Sequence, residues 1–209
     1  MNYSPILIVS GEPNSIFLEI FFKVLKNNKI LSPIILITSN KLLVMQMKKM
    51  MFKKKIKILN PLLLDQYKLD NQSINLIDVE YKPKKAFEKI TKKSNKFIEN
   101  SFKLAFKIIK QYKFQKLING PISKKNFLNK KFLGITEYIS KKFKLKNTCM
   151  LIYNKNLSVC PITTHLPVKL ITKKINKKII INKVSLISAF YKKKFGLKPK
   201  IAILGLNPH

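Results

Sequence analysis

Arginine and tryptophan are absent from the sequence, which has only 5 glycines, 2 cysteines and 2 histidines among 209 residues. All 43 basic residues are lysine; they outnumber the 9 acidic residues and give a formal net charge of +34. Proteins that read DNA bases favour arginine, because its planar guanidinium makes bidentate contacts that lysine cannot make. The lysines are also spread along the whole chain, which is typical of the composition bias of an AT-rich genome. We therefore expect no specific nucleic-acid partner, although the lysines attract anions in general.

Cysteine and long apolar runs are equally scarce. Cys149 and Cys160 have no C-x-x-C spacing, which predicts two buried free thiols in a reducing compartment. The first residues, MNYSPILIVSGEP, contain only a short apolar run with no basic segment before it, which is typical of a first strand and not of a signal peptide. No apolar run is long enough to cross a bilayer. We expect a soluble, cytoplasmic protein with no membrane partner.

Short apolar runs alternate with helical patterns, which predicts an α/β fold built on a parallel sheet. The predicted strands Cys149–Tyr153 and Leu157–Thr163 are expected to form a hairpin. The predicted strands are Pro5–Val9, Pro33–Thr38, Lys55–Leu59, Ile74–Val79, Lys116–Asn119, Cys149–Tyr153, Leu157–Thr163 and Lys200–Leu204. The predicted helices are Ser15–Lys26, Lys41–Met51, Lys84–Tyr112, Lys124–Asn129 (capped by Ser123), Thr136–Phe143, a stretch from Pro167, and Asn182–Phe195 with Gly196 as its C-cap.

Glycine and histidine occur at the ends of predicted strands. Gly11, Gly120 and Gly205 each follow a strand, where parallel α/β sheets bind their ligands, although each glycine also fits an ordinary turn. His165 and His209 follow strands as well. Imidazole is a common metal ligand, but a lone histidine is more often a surface or core residue. Because a catalytic zinc-like site uses three protein ligands, two histidines predict at most an incomplete metal site.

Five motifs in order, namely SGEP, NGPISK, G-x-T-E-Y, TTHLP and GLNPH, resemble the 4-hydroxythreonine-4-phosphate dehydrogenase family. The resemblance spans the chain and implies an isocitrate/isopropylmalate-dehydrogenase-like, three-layer α/β/α fold that is incomplete at the C-terminus. We divide the chain into a first α/β domain, residues 1–132, and the start of a dimerisation and metal-site domain, residues 133–209. The family implies a homodimer with active sites at the subunit interface, NAD as cofactor, and a divalent metal held by three histidines.

The resemblance bears on four single positions: three match residues of the family, and one departs from them. His165 in TTHLP and His209 in NPH match two metal ligands; the third belongs to a Y-H-D-Q-G-like segment that this sequence does not contain. The metal is Zn²⁺, Mg²⁺, Mn²⁺ or Co²⁺. The family's substrate-phosphate motif G-H-T-E reads G-I-T-E here, so Thr136 is a substrate-binding residue and Ile135 replaces the histidine beside it. Ile135 can neither donate a hydrogen bond nor carry a charge.

Two further assignments are coarser. Lys124 is expected to attract the substrate phosphate, while no NAD-binding residue is assigned, because most of that site lies in the C-terminal part of the family. The glycine-rich half of the family's G-E-P-A-G-I-G-P motif is replaced by residues 14–18, NSIFL.

The implied reaction is the NAD-dependent oxidation, with decarboxylation, of 4-phosphohydroxy-L-threonine to 3-amino-2-oxopropyl phosphate in pyridoxine 5'-phosphate biosynthesis. The metal acts as a Lewis acid on the substrate alcohol, hydride leaves to NAD⁺, and the resulting β-keto acid loses CO₂. With one metal ligand missing, we expect the 209-residue chain to be inactive alone. Two alternatives remain open: a related dehydrogenase of another phosphorylated or acidic hydroxy acid, which Ile135 suggests, and a lysine-rich protein that binds polyanions without catalysis.

Overall fold

The computed structural model describes residues 3–128, 131–145, 147–164 and 166–205. The chain divides into two compact units, residues 1–131 and residues 132–209. The assignment of dimerisation and metal binding to the second of these stays a prediction. In the described part of the chain, no helix combines the length and the apolar character that crossing a membrane requires.

The first unit is built on a five-stranded sheet in which every neighbouring pair of strands is parallel. The strands lie in the order β3-β4-β2-β1-β5. Their bounds are β1 Ile6–Val9, β2 Ile34–Thr38, β3 Ile56–Ile58, β4 Ile74–Asp78 and β5 Leu117–Asn119. These five strands lie within the first five predicted ones, because short apolar runs rich in isoleucine and leucine suit strands that are covered on both faces.

Helices cover both faces of this sheet. The α-helices of the first unit are α1 Phe17–Asn27, α2 Asn40–Lys49 and α3 Asn95–Tyr112, with single helical turns at Leu64–Gln66, Lys92–Ser94 and Lys124–Leu128. Apolar residues of α1 and α2 form one core cluster with Ile8, Leu36 and Leu76. Successive strand residues point to opposite faces, so Leu7 and Ile35 face the other side, where α3 contacts β1 and β2. The predicted three-layer α/β/α arrangement is confirmed.

The longest predicted helix was wrong at its start, since α3 begins at Asn95 and not at Lys84. Before α3, Glu88 Oε1 accepts from the backbone N–H of Lys84 at 2.6 Å. The N–H of Glu88 itself, which a helix starting at Lys84 would pair with Lys84 O, donates instead to Asn14 Oδ1 at 3.1 Å. Phe87 lies within the predicted helix and is 36% exposed. The buried stripe of α3 begins at Phe97. Local hydrogen bonds to side chains therefore override the helical spacing in residues 84–91.

The second unit contains α4 Ile135–Lys142, α5 Val168–Lys174 and α6 Lys177–Phe195. The last helix starts at Lys177 and not at Asn182, because the side chain of Asn176 accepts a hydrogen bond from Ile179 N at 3.0 Å and caps it. It ends at Gly196, whose φ of +68° is the left-handed conformation of a C-cap, as predicted.

The predicted hairpin is present only as a pair of facing residues. Ile152 and Val159 form an isolated antiparallel bridge, with hydrogen bonds of 2.8 and 3.0 Å in the two directions. The turn at residues 154–156 is closed by Ser158, whose hydroxyl donates to Asn154 O at 3.0 Å. The longer strands Cys149–Tyr153 and Leu157–Thr163 were wrong, since the rest of both segments lacks ladder hydrogen bonds in the part of the chain that the structure describes.

The predicted last strand, Lys200–Leu204, was also wrong. These residues are described and form no strand, and Leu204 is 89% exposed. An apolar run adopts strand structure only when a neighbouring strand accepts its backbone hydrogen bonds. No such neighbour is present for it among the described residues.

Candidate functional site

The carboxyl ends of β1 and β5 lie side by side, and the loops that follow them touch through their backbones. Gly120 N donates to Val9 O at 2.8 Å, and Glu12 N donates to Pro121 O at 2.8 Å. Gly11 has a φ of +73°, and a Cβ added to it would lie 2.8 Å from Gly120 O. This close approach requires glycine, so Gly11 and Gly120, two of the three glycines at predicted strand ends, lie against each other.

The third strand-end glycine does not follow the same pattern. Gly205 belongs to the unit of residues 132–209, and within residues 166–205 no strand precedes it. The prediction that Gly205 follows a strand is therefore wrong.

Glu12, next to Gly11, carries a carboxylate that is enclosed by the protein and only 2% exposed. Its Oε2 accepts a hydrogen bond from Ser94 Oγ at 2.8 Å, and its Oε1 lies 3.5 Å from the donor Asn14 N. Burial raises the pKa of Glu12, while the Ser94 hydroxyl opposes that shift. Because Ser94 directly precedes α3, the carboxylate ties the loop after β1 to the start of that helix.

Polar side chains also link the ends of β1, β2 and β4. Ser10 Oγ donates to Thr38 Oγ1 at 2.9 Å, and Asp78 Oδ1 accepts from Asn40 N at 2.7 Å. Sequence reasoning missed these pairs, because their members are 28 and 38 residues apart and only the sheet register brings them together. They fix the edge of the sheet from which the loops of the first unit emerge.

Within the second unit, a cavity of about 350 Å³ opens beside α4. This volume is in the range of small-molecule sites. The cavity is lined by Thr136, Glu137, Ser140, Lys141, Leu145, Thr148, Met150, Pro161, Ile162, Thr164 and Lys183. The predicted substrate residue Thr136 therefore borders a cavity, whereas the lining does not include Ile135, the half-buried first residue of α4.

Hydrogen bonds hold the polar groups of this cavity in place. Glu137 Oε1 accepts from Thr164 Oγ1 at 3.2 Å, and Lys183 Nζ donates to Thr148 O at 2.6 Å. Ser140 Oγ donates to Thr136 O at 2.7 Å. No spacing pattern in the sequence connects Glu137 with Lys183. The cavity thus combines two ammonium groups, a carboxylate and several hydroxyls, a set that suits a polar, charged ligand.

Lys124 lies in the first unit, exposed, at the start of the single turn Lys124–Leu128. Ser123 Oγ accepts from Asn126 N at 3.1 Å, which confirms the predicted cap. The structure places Lys124 and Thr136 in different units. The role of Lys124 toward a phosphate stays a prediction.

The two histidines, His165 and His209, lie outside the described residues. Within the described ranges, no three His, Cys, Asp or Glu side chains come together as a metal-binding group. Thr164, the neighbour of His165, is described, and its hydroxyl is engaged by Glu137. Two imidazoles are suitable donors for Zn²⁺ or Co²⁺ but fall short of the three protein ligands of a catalytic site.

Both cysteines are free, as predicted, but they are half-buried and not fully buried. Burial raises the pKa of the Cys160 thiol, and the neighbouring Cys149 adds to the effect. A thiol with a raised pKa is a weak nucleophile near neutral pH.

Comparison with known proteins connects these features to one family. The model of the family described as pyridoxal phosphate biosynthetic protein PdxA matches residues 29–209. A 4-hydroxythreonine-4-phosphate dehydrogenase of Sulfurihydrogenibium sp. is 40% identical over 139 residues, which are 65% of this chain and 42% of that protein.

Solved structures show the same fold. The crystal structure of the 4-hydroxythreonine-4-phosphate dehydrogenase from Klebsiella pneumoniae matches with a TM-score of 0.82 at 19% identity, covering 99% of this chain and 65% of that one. The enzyme of the same name from Burkholderia phymatum matches with a TM-score of 0.81 at 20% identity, covering 99% of this chain and 64% of that one. The chain thus spans less than two thirds of the length of these relatives. Since the family model covers most of its residues, the chain belongs to the family of pyridoxal phosphate biosynthetic protein PdxA.

Proposed function

We propose that this chain forms the larger part of a 4-hydroxythreonine-4-phosphate dehydrogenase, which oxidises 4-phosphohydroxy-L-threonine with NAD⁺ and releases CO₂. The observation that carries the proposal is the 40% identity over 139 residues with a relative of that name. The cavity beside Thr136 supports it, because its hydroxyls, carboxylate and ammonium groups suit a small substrate that carries both signs of charge.

The proposed reaction removes a hydride from the carbon of the secondary alcohol and a proton from its oxygen. The β-keto acid that results loses CO₂, and a proton then replaces the lost carboxylate to give 3-amino-2-oxopropyl phosphate. NAD⁺, when bound, supplies the hydride acceptor; no residue of this chain is assigned to it. Of the described residues, Thr136 is proposed to donate a hydrogen bond to the substrate phosphate, and Lys124 to add a positive field.

His165 and His209 are proposed to hold a divalent metal through their imidazole nitrogens. Such a metal, when bound, acts as a Lewis acid that makes the substrate alcohol easier to deprotonate. Neutral imidazoles suit this role because they leave the positive charge of the ion intact. Zn²⁺, Mg²⁺, Mn²⁺ and Co²⁺ all remain candidates. The third protein ligand is proposed to come from the part of the relatives that this chain does not match.

The test is an NADH-formation assay with 4-phosphohydroxy-L-threonine and each of the four metals. Two proteins are compared: the 209-residue chain, and the same chain joined to the segment that follows the matched part in a relative. We expect NADH only from the joined form, because two histidines do not complete a three-ligand site. Full activity of the 209-residue chain would overturn the requirement for a third ligand, and inactivity of a folded joined form would count against the proposed reaction.

A second candidate is a related dehydrogenase that acts on another phosphorylated or acidic hydroxy acid. Ile135 favours it, because an apolar residue beside Thr136 removes a hydrogen-bond donor from the phosphate motif. A screen of hydroxy acids on the joined form distinguishes the two candidates. A higher kcat/KM for a substrate other than 4-phosphohydroxy-L-threonine would favour this second function.

We also propose that the protein works as a cytoplasmic homodimer. The second unit exposes many large apolar side chains, which a partner surface would cover. Examples are Ile152, Leu157, Val168, Ile203 and Leu204. Light scattering coupled to gel filtration tests the dimer, and a monomer at micromolar concentration would contradict it.

A further inference from the structure

Lys183 differs from the other lysines of α6. This helix carries six lysines, and Lys183 is half-buried whereas Lys177, Lys178, Lys192, Lys193 and Lys194 are exposed. The Lys183 ammonium is also anchored, since it donates to Thr148 O at 2.6 Å. An ammonium has three donors, so two remain for a ligand in the cavity that Lys183 lines. The position of this positive charge is therefore fixed beside the cavity.

The charges that line the cavity favour an anion near Lys183. The charged lining residues are Glu137, Lys141 and Lys183. Glu137 accepts a hydrogen bond from the Thr164 hydroxyl, and among the described residues no ion pair joins it to either lysine. Lys141 is exposed, and its Nζ lies 5.5 Å from the centre of the Phe132 ring. Among the described residues, Lys183 is thus the cation of this lining that a hydrogen bond anchors and that has no carboxylate within ion-pair distance.

Hydroxyl groups of the same lining complete the donor set. Thr136 and Thr148 both line the cavity, and their hydroxyls can donate to the oxygens of a bound anion. A phosphate monoester has several acceptor oxygens, and lysine binds phosphate as a point charge, without the geometry that arginine needs. The side chain of Ile135 contributes neither a donor nor a charge, so the positive charge of this cavity comes from other residues of the lining.

We propose that Lys183 is the anion-binding group of this cavity and that its ligand is the phosphate monoester of a small molecule. The inference rests on the proposed function, and it names α6 as the element that supplies the positive charge to the substrate phosphate. Lys183 binds and orients the ligand and takes no part in proton or hydride transfer.

The test is an NMR titration of the isotope-labelled 209-residue chain with inorganic phosphate. We expect saturable shifts of Thr136, Thr148 and the Lys183 ammonium in the wild-type chain. Lys183→Met should weaken phosphate binding about tenfold or more, because a charge-assisted hydrogen bond is lost. The matched control, Lys178→Met, removes the same charge from an exposed position of the same helix and should change binding by less than about twofold.

Equal weakening by the two variants would overturn the proposal and would show that phosphate binds through the general field of the lysines. An unchanged Lys183 ammonium signal in the wild-type chain would overturn it as well, and that measurement does not depend on the folding of any variant.

Comparing 4-hydroxy-L-threonine with and without its 4-phosphate separates this inference from the proposed function. Phosphate binding at Lys183 without tighter binding of the phosphorylated amino acid supports the subsite and counts against the proposed substrate. Tight binding of the phosphorylated amino acid that Lys183→Met leaves unchanged supports the proposed substrate and overturns the subsite.

Discussion

Replacing Gly11 by alanine is expected to destabilise the first unit strongly. Its φ of +73° places the residue in the left-handed region, which costs an L-residue about 1–2 kcal/mol. The added Cβ would also meet the carbonyl oxygen of Pro121 and lie 2.8 Å from that of Gly120. Relieving this overpacking costs about 1–3 kcal/mol, so the total loss is roughly 2–5 kcal/mol. Separating the two loops would also strain the hydrogen bond from Glu12 N to Pro121 O.

Gly196→Ala is the matched control. Gly196 has nearly the same φ, +68°, but an added Cβ would meet nothing within 4 Å. Its replacement should therefore cost only the backbone strain, about 1–2 kcal/mol. The difference between the two variants isolates the contact between the loops after β1 and β5.

Native-state hydrogen exchange measures the loss of stability in the first unit and in the second unit separately. The amide of Ile37 in β2 reports on the first unit, and an amide in the middle of α6 reports on the second. We expect the exchange free energy to fall by roughly 2–5 kcal/mol at Ile37 in Gly11→Ala, and by about 1–2 kcal/mol in α6 in Gly196→Ala. Equal losses in the two variants would refute the steric argument.

Three other substitutions test single interactions. Burial raises the pKa of Glu12 above 4.5, so the folded chain binds this proton more tightly than the unfolded chain does. The stability of the fold therefore falls as pH rises from about 4.5 through the folded-state pKa. Glu12→Gln should remove that fall in urea denaturation, and an unchanged pH profile would contradict the assignment. Asn71→Ala removes three hydrogen bonds of 2.9 Å that join Asn71 to Ile30 O, Ser32 O and Ile34 N before β2. It should cost about 2–3 kcal/mol in the same measurement, and a loss below about 1 kcal/mol would contradict the role of this bridge. Asn176→Ala removes the cap of α6 and should lower protection in its first turn by about 1 kcal/mol, while unchanged exchange would show that the cap does not contribute.

Local patterns predicted most of the first unit. The runs PILIV and PIILIT identify buried strands, because each is too short for a typical helix and is bounded by proline, serine or glycine. The same reasoning misplaced the start of α3, because the backbone N–H of Glu88 donates to the distant side chain of Asn14 and not to the carbonyl of residue 84. It also predicted a strand at Lys200–Leu204, where the apolar residues are present but a pairing strand is not found in the described chain.

One residue that lines the cavity, Thr136, was singled out by the sequence, and its role in substrate binding stays a prediction. Thr136 was found through its motif, and the structure places it on a cavity. Lys183 and Glu137 were missed as partners of that cavity, because residues that lie 46 positions apart acquire a common environment only through folding. Glu12 belongs to a motif found in the sequence, but its burial and its bond to Ser94 could not be inferred from that motif.

The sequence by itself determined the succession of strands and helices in the first unit, its parallel sheet and the family, because these depend on periodicity and on short motifs of adjacent residues. The tertiary structure decided which side chains share an environment: the glycine contact between the loops after β1 and β5, the buried carboxylate of Glu12, and the anchored ammonium of Lys183. The physical reason is that burial, pKa and hydrogen-bond partnership depend on distances through space, and the sheet register and the helix packing set those distances.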